Sequence, residues 1–194
     1  MFIEERNYRY FMQLYAQHIG PVAETYAYCQ LKNHFHLLVH IKDGVPTKAG
    51  DPKGFQKPLG SGKGTASAAF SNFFNAYAKA INNAYHRTGS LFEHPFNRIP
   101  VDSQRYLVQL VRYIHYNPQK HQLVSDFRDW PYSSYHAYLS KQATRLKRGE
   151  VLGWFDNLDG FLEAHKLPLD EAALEPLTMD DFDQTLKVLK TFRV

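Results

Sequence analysis

The chain has 194 residues, 44% of them hydrophobic, which is enough for one core with appendages and too little for two full domains. Its 23 Lys and Arg against 19 Asp and Glu give a net charge of +4, to which 10 histidines add when protonated. That excess permits a nucleic-acid partner without requiring one. The single cysteine, Cys29, excludes an internal disulfide and suits a reducing compartment, and its place in a strand pattern marks a small buried residue. No run approaches the ~20 apolar residues of a membrane helix, and MFIEERNYRYF carries acidic residues where a secretory leader is basic. The expectation is a cytoplasmic protein with no membrane partner.

In chain order, residues 4–18 place Tyr8, Phe11, Leu14, Tyr15 and His18 at helical spacing before Gly20-Pro21. A strand over residues 25–31, a turn at Lys32-Asn33 and a second strand to about residue 42 predict a β-hairpin. Residues 43–64 hold six glycines, three prolines and four lysines, a composition that reads as a long surface loop. A helix over residues 65–86 follows, with Phe70, Phe73, Phe74, Tyr77, Ile81 and Ala84 as its apolar stripe. Residues 91–101 read as an extended, edge-like piece between prolines. A third helix starts at Asp102 or Ser103, turns Leu107, Leu110, Val111 and Ile114 to the core, and ends at Asn117-Pro118. The tail is expected to hold a short helix around LKRGEVLGWF and a last helix over residues 180–190.

The chemistry concentrates in HFHLLVHI. Strand alternation puts His34, His36, Leu38 and His40 on one face and Phe35, Leu37, Val39 and Ile41 on the other, so two imidazoles stand side by side as a partial metal site. On the third helix Tyr113 and Asn117 are four residues apart and share a face. Two imidazoles and one carboxamide oxygen could hold a divalent cation beside a tyrosine hydroxyl. A cation there would polarise a phosphate oxygen while the phenol attacks phosphorus. A phosphotyrosine so formed retains the energy of the broken phosphodiester and lets the step run backwards. Tyr106 and Tyr116 are rival nucleophiles that composition does not separate from Tyr113.

These motifs carry a resemblance. YAYCQLKN followed by HFH resembles the paired-histidine signature of the IS200-like single-tyrosine transposases, in the branch associated with repeated extragenic palindromes. RYIHYNP, residues 112–118, is similar to that branch's tyrosine motif; GSLFEHPF with NRIPVDSQRYL is similar to its linking strand, and WPYSSYHAYL to its closing segment. The tail LKRGEVLGWFDNLDGFLEAHK is similar to tails of members from the Bacteroidetes. The resemblance implies Tyr113 as nucleophile, with His34, His36 and Asn117 as ligands of Mg²⁺ or Mn²⁺. It further implies an α+β, ferredoxin-like antiparallel sheet with helices on one face, a catalytic domain over residues 1–140 and a helical extension over 141–194. The implied activity is cleavage of one strand near a single-stranded DNA hairpin, leaving a 5′-phosphotyrosine and a free 3′-OH, by a monomer or homodimer.

Family members usually open with a strand patterned like YHIYNRG, whereas this chain begins at Met1-Phe2, so the sheet is expected to lack an interior member. A start placed too far downstream, a truncated copy, or another segment or partner chain in the gap would each account for that. GSGKGT, residues 60–65, is not a Walker A loop, since Lys57 stands where its first glycine belongs and Gly64 where a Ser or Thr should bind magnesium. Lys48, Lys53, Lys57 and Lys63 could rest on a DNA backbone, and Arg87, Arg98, Arg105 and Arg112 are candidate phosphate contacts or solvated charges. His40 could orient DNA or the metal shell; His94 and His115 are left unassigned, and Glu93, which could lie near the site, is not named as a ligand. The alternatives to a nickase are a hairpin-binding remnant without cleavage and a non-catalytic RNA-binding protein on the same sheet.

Overall fold

A computed structural model describes residues 1–46, 65–92, 100–101, 104–170 and 187–191, with backbone alone at 100, 104–105 and 187–191. The described elements are α+β. The chain divides into two compact units, Met1–Glu24 with His40–Phe92, and Thr25–Val39 with Glu93–Val194. The sequence elements at 43–64 and 91–101 fall largely outside the described residues, as do His94, Glu93, Arg98 and the four loop lysines. No helix among the described residues is long and apolar enough to cross a membrane.

The first unit is built on two amphipathic helices, α1 (Glu5–His18) and α2 (Ala66–Ala84). Glu4 and Asn7 form a reciprocal capping box at the start of α1, and the Thr65 hydroxyl accepts the Ala68 N–H at the start of α2. The apolar stripes meet as rings: Phe11 lies 4.7 Å from Phe73 and 5.0 Å from Tyr77, edge to face. Burial pushes the Tyr77 phenol far up from its ordinary range.

The hairpin forms where alternation predicts, as β1 (Ala23–Gln30) and β2 (Phe35–Ile41). The Leu31 N–H donates to the His34 carbonyl at 2.9 Å and closes the Lys32-Asn33 turn. Phe35, Leu37, Leu38 and Val39 are all fully buried, so β2 is covered on both faces. The outer edge of β1 is also occupied. Gln30 N–H donates to Tyr132 O, Ser134 N–H to Tyr28 O and Lys147 N–H to Thr25 O; Trp130 Nε1 donates to Gln30 O at 2.8 Å, and the Tyr138 hydroxyl to Tyr26 O. Such a covered edge offers no template to another chain.

Two further strands complete the ladder, β3 (Pro100–Val101) and β4 (Lys187–Thr191), in the order β1-β2-β4-β3. β4 runs parallel to both neighbours, with His36 opposite Lys187 and Val101 opposite Thr191. This departs from the antiparallel sheet and from the helix expected over residues 180–190. The segment KVLKT contains β-branched Val188 and Thr191, and pairing along β2 outweighs any helical preference. It takes the position between β2 and β3.

The second unit's helices are α3 (Gln104–Lys120), α4 (Tyr135–Leu139), α5 (Arg148–Trp154) and α6 (Leu158–Lys166). Leu110, Val111 and Ile114 of α3 are fully buried, as its periodicity requires. α3 does not stop at Asn117-Pro118 but runs on to Lys120. A proline in a last turn forfeits one hydrogen bond, and the Asn117 and Pro118 carbonyls are recovered by His121 N–H and Leu123 N–H at 2.9 Å each. Around α6, Phe161 is fully buried, 5.0 Å from Tyr138 and 5.1 Å from Phe155.

Candidate active site

His34 stands at the mouth of the hairpin turn, one residue before β2, and His36 lies inside the strand with 2% exposure. Their ring centroids are 5.1 Å apart at 87°. The His34 Nδ1 lies 2.9 Å from Asn33 Oδ1. A carboxamide oxygen only accepts, so Nδ1 carries the proton and the lone pair is on Nε2.

α3 brings the tyrosine. Tyr113 is 1% exposed, and its ring centroid lies 5.9 Å from that of His36 at 76°. Tyr116 instead packs on Phe127 at 6.1 Å, so of these two rivals it is Tyr113 that stands against the histidines. Asn117, one turn on, is fully buried. Its Nδ2 donates to the Tyr113 carbonyl at 2.9 Å, while its Oδ1 is buried with no hydrogen bond. A buried carbonyl oxygen left in that state costs about 1–3 kcal/mol unless something ligates it.

Three residues that the sequence reading did not single out join this group. Asn33 holds the His34 ring, the His121 ring lies 5.0 Å from His34 at 72°, and the Lys120 Nζ lies 4.9 Å from the Tyr113 ring centroid. The signal for His121 was present: residues 113, 117 and 121 continue one face at four-residue steps. It was hidden by ending the helix at the proline.

Among the described residues, no three His, Cys, Asp or Glu side chains are grouped to hold a metal ion. The candidate donors are two imidazoles and a carboxamide, a different set. With three protein donors a divalent ion keeps positions for water and phosphate oxygens, and the oxygen donor at Asn117 suits Mg²⁺ or Mn²⁺ while the imidazoles suit Mn²⁺ better. The orphaned Asn117 Oδ1 and the His34 lone pair fit such an ion.

Elsewhere the structure reassigns two residues. Arg112 is neither a solvated charge nor available to phosphate. It is 5% exposed, and its guanidinium donates to the carbonyls of Leu167 and Pro168 at 2.6 and 2.8 Å and to Gln109 Oε1 at 2.8 Å. Burial pushes its pKa down, partly countered by Asp170. His115, fully buried, belongs to a chain of hydrogen bonds whose direction follows from one end. The Phe161 carbonyl takes the His165 Nδ1 proton at 2.7 Å, so His165 Nε2 accepts from His115 Nδ1 at 3.0 Å, and His115 Nε2 accepts from the Ser134 hydroxyl at 2.7 Å. His40 Nδ1 lies 3.7 Å from Glu24 Oε2. Cys29 is fully buried, and burial pushes its thiol well up, which suits packing.

No family model matches the chain, and no solved structure matches it. A protein of Haemophilus influenzae described as "Putative REP-associated tyrosine transposase" is 26% identical over 113 residues, 58% of this chain and 59% of that protein. The chain thus spans about three fifths of the length of the relative it matches, a distant likeness at the level of a transposase family.

Proposed function

We propose that the chain is a metal-dependent DNA strand transferase of the IS200-like, single-tyrosine kind, acting on single-stranded DNA near a hairpin. The observation that carries this reading is the row of rings in one compact unit: His34 to His36 at 5.1 Å and His36 to Tyr113 at 5.9 Å. The likeness to a tyrosine transposase supports it. In this reading residues 1–140 carry the catalysis and 141–194 are an extension. His34, His36 and Asn117 would hold Mg²⁺ or Mn²⁺, which supplies polarisation of a non-bridging phosphate oxygen when bound.

The phenolic oxygen of Tyr113 attacks phosphorus, the bond from phosphorus to the 3′-oxygen breaks, and that oxygen leaves with a proton as a 3′-OH. The 5′-phosphate remains on Tyr113. Attack by a 3′-OH on this phosphotyrosine expels the phenol and reseals a strand, since the phenol is a tolerable leaving group. Incubating the full chain with a labelled hairpin-bearing single strand and Mn²⁺ yields a band that survives denaturing electrophoresis, and EDTA removes it. A covalent product formed equally well in EDTA overturns the metal-dependent reading.

A second reading, a protein that binds hairpins without cutting them, draws on the 1% exposure of Tyr113. A phosphate cannot reach a phenol so enclosed until the surrounding side chains part. That reading expects hairpin binding that weakens steeply with salt and no covalent product at any metal concentration.

A further inference from the structure

We propose that Asn33 and His121 form a collar that fixes the His34 imidazole as a metal ligand, a role that rests on the metal-dependent reading above. His34 has the greater need of support. It stands outside β2 and is only half-buried, whereas His36 is held inside the strand at 2% exposure.

The two contacts constrain different freedoms of the ring. The Asn33 Oδ1, 2.9 Å from Nδ1, selects the tautomer with the proton on Nδ1 and the lone pair on Nε2, and a neutral imidazole in water favours the opposite one. The His121 edge, 5.0 Å away at 72°, opposes rotation of the ring, and His36 at 5.1 Å and 87° stands close as well. Ligand histidines commonly hand their second ring nitrogen to such a partner, and its loss costs about 10- to 100-fold in metal affinity. Asn33 is exposed, so water competes for the same bond and the loss belongs at the low end of that range.

The test uses the full-length protein without DNA. Mn²⁺ binding is followed by the electron paramagnetic resonance of the aquo ion, and the His34 tautomer by ¹⁵N shifts of the metal-free ring. Asn33→Ala weakens Mn²⁺ binding about ten-fold and moves the His34 proton toward Nε2, while Asn33→Asp, which still accepts the bond, restores both. His121→Ala weakens binding, and His121→Phe, which keeps the edge contact, restores it. Unchanged affinity and tautomer in Asn33→Ala overturns the role of Asn33. Equal losses in His121→Phe and His121→Ala overturn the packing role of His121. If the unaltered protein binds no Mn²⁺, the metal reading beneath the proposal fails, and the metal-free tautomer reports separately whether Asn33 directs the ring.

Discussion

Replacing Tyr113 by phenylalanine abolishes the covalent DNA adduct, a loss on the order of 10⁴-fold or more, as expected when a nucleophile is deleted from a set of groups that act together. The substitution removes one oxygen and keeps the ring that packs 5.9 Å from His36 and under the Lys120 ammonium. Fold stability therefore changes by no more than about 1–2 kcal/mol, the range for one buried hydroxyl. Hairpin affinity and Mn²⁺ affinity stay near those of the parent, because His34, His36 and Asn117 are untouched. Denaturant midpoints, filter binding and adduct yield, measured on one preparation, separate loss of chemistry from loss of fold.

The second large effect is acid instability of the unit that carries the site. His115 and His165 are held neutral in the folded chain: burial, His165 and His136 push His115 well below the ordinary histidine range, while burial outweighs the Phe161 carbonyl and brings His165 to about 4. In the unfolded chain both take up protons near pH 6.5. Their folded values are depressed, so below pH 6.5 the unfolded state binds more protons and stability falls as pH falls. The part due to His165 is about 3 kcal/mol and is spent by about pH 4, and that due to His115 continues lower. With typical domain stabilities of about 5–15 kcal/mol, this suffices to bring urea midpoints down sharply between pH 6.5 and 4.5. Asp126, lowered by the Arg128 guanidinium, and Glu4, lowered by the Tyr85 hydroxyl, lose their contributions only below the ordinary carboxylate range and leave that window to the histidines. His165→Gln roughly halves the slope of stability against pH there, from about two protons taken up on unfolding to one. An unchanged slope would contradict a His165 held neutral in the folded chain.

Much of this architecture was legible because it obeys short periods. The 3.6-residue stripe of Phe70, Phe73, Phe74, Tyr77 and Ile81 has a single way to bury its apolar face, and α2 follows it; the alternation through HFHLLVHI marks a strand, and β2 forms there although it is buried on both faces. What escaped depends on partners far along the chain. Arg112 looks like any helix-surface arginine until the carbonyls of residues 167 and 168 arrive beside it, and His115 looks idle until His165, fifty residues away, meets its ring. The strand at residues 187–191 is set by the open edge of β2, which a local window does not contain. Within the candidate site, spacing pairs His34 with His36 and Tyr113 with Asn117, while the choice of Tyr113 over Tyr106 and Tyr116 comes from the resemblance of RYIHYNP and not from spacing. His121 continues the face of residues 113 and 117 once the helix is carried past its proline, whereas the roles of Asn33 and Lys120 follow only from contacts with rings that folding brings to them.

The claim that the histidine strand and one particular tyrosine serve a single phosphoryl transfer is tested most directly by locating the DNA on the chain. After reaction with a hairpin single strand and Mn²⁺, nuclease and trypsin leave a short nucleotide remnant on one peptide. Cleavage after Arg112 and Lys120 gives residues 113–120, which contain both Tyr113 and Tyr116, so fragment ions must separate the two. The account predicts a remnant joined through its 5′-phosphate to Tyr113. A remnant on Tyr116 or on Tyr106 would contradict it.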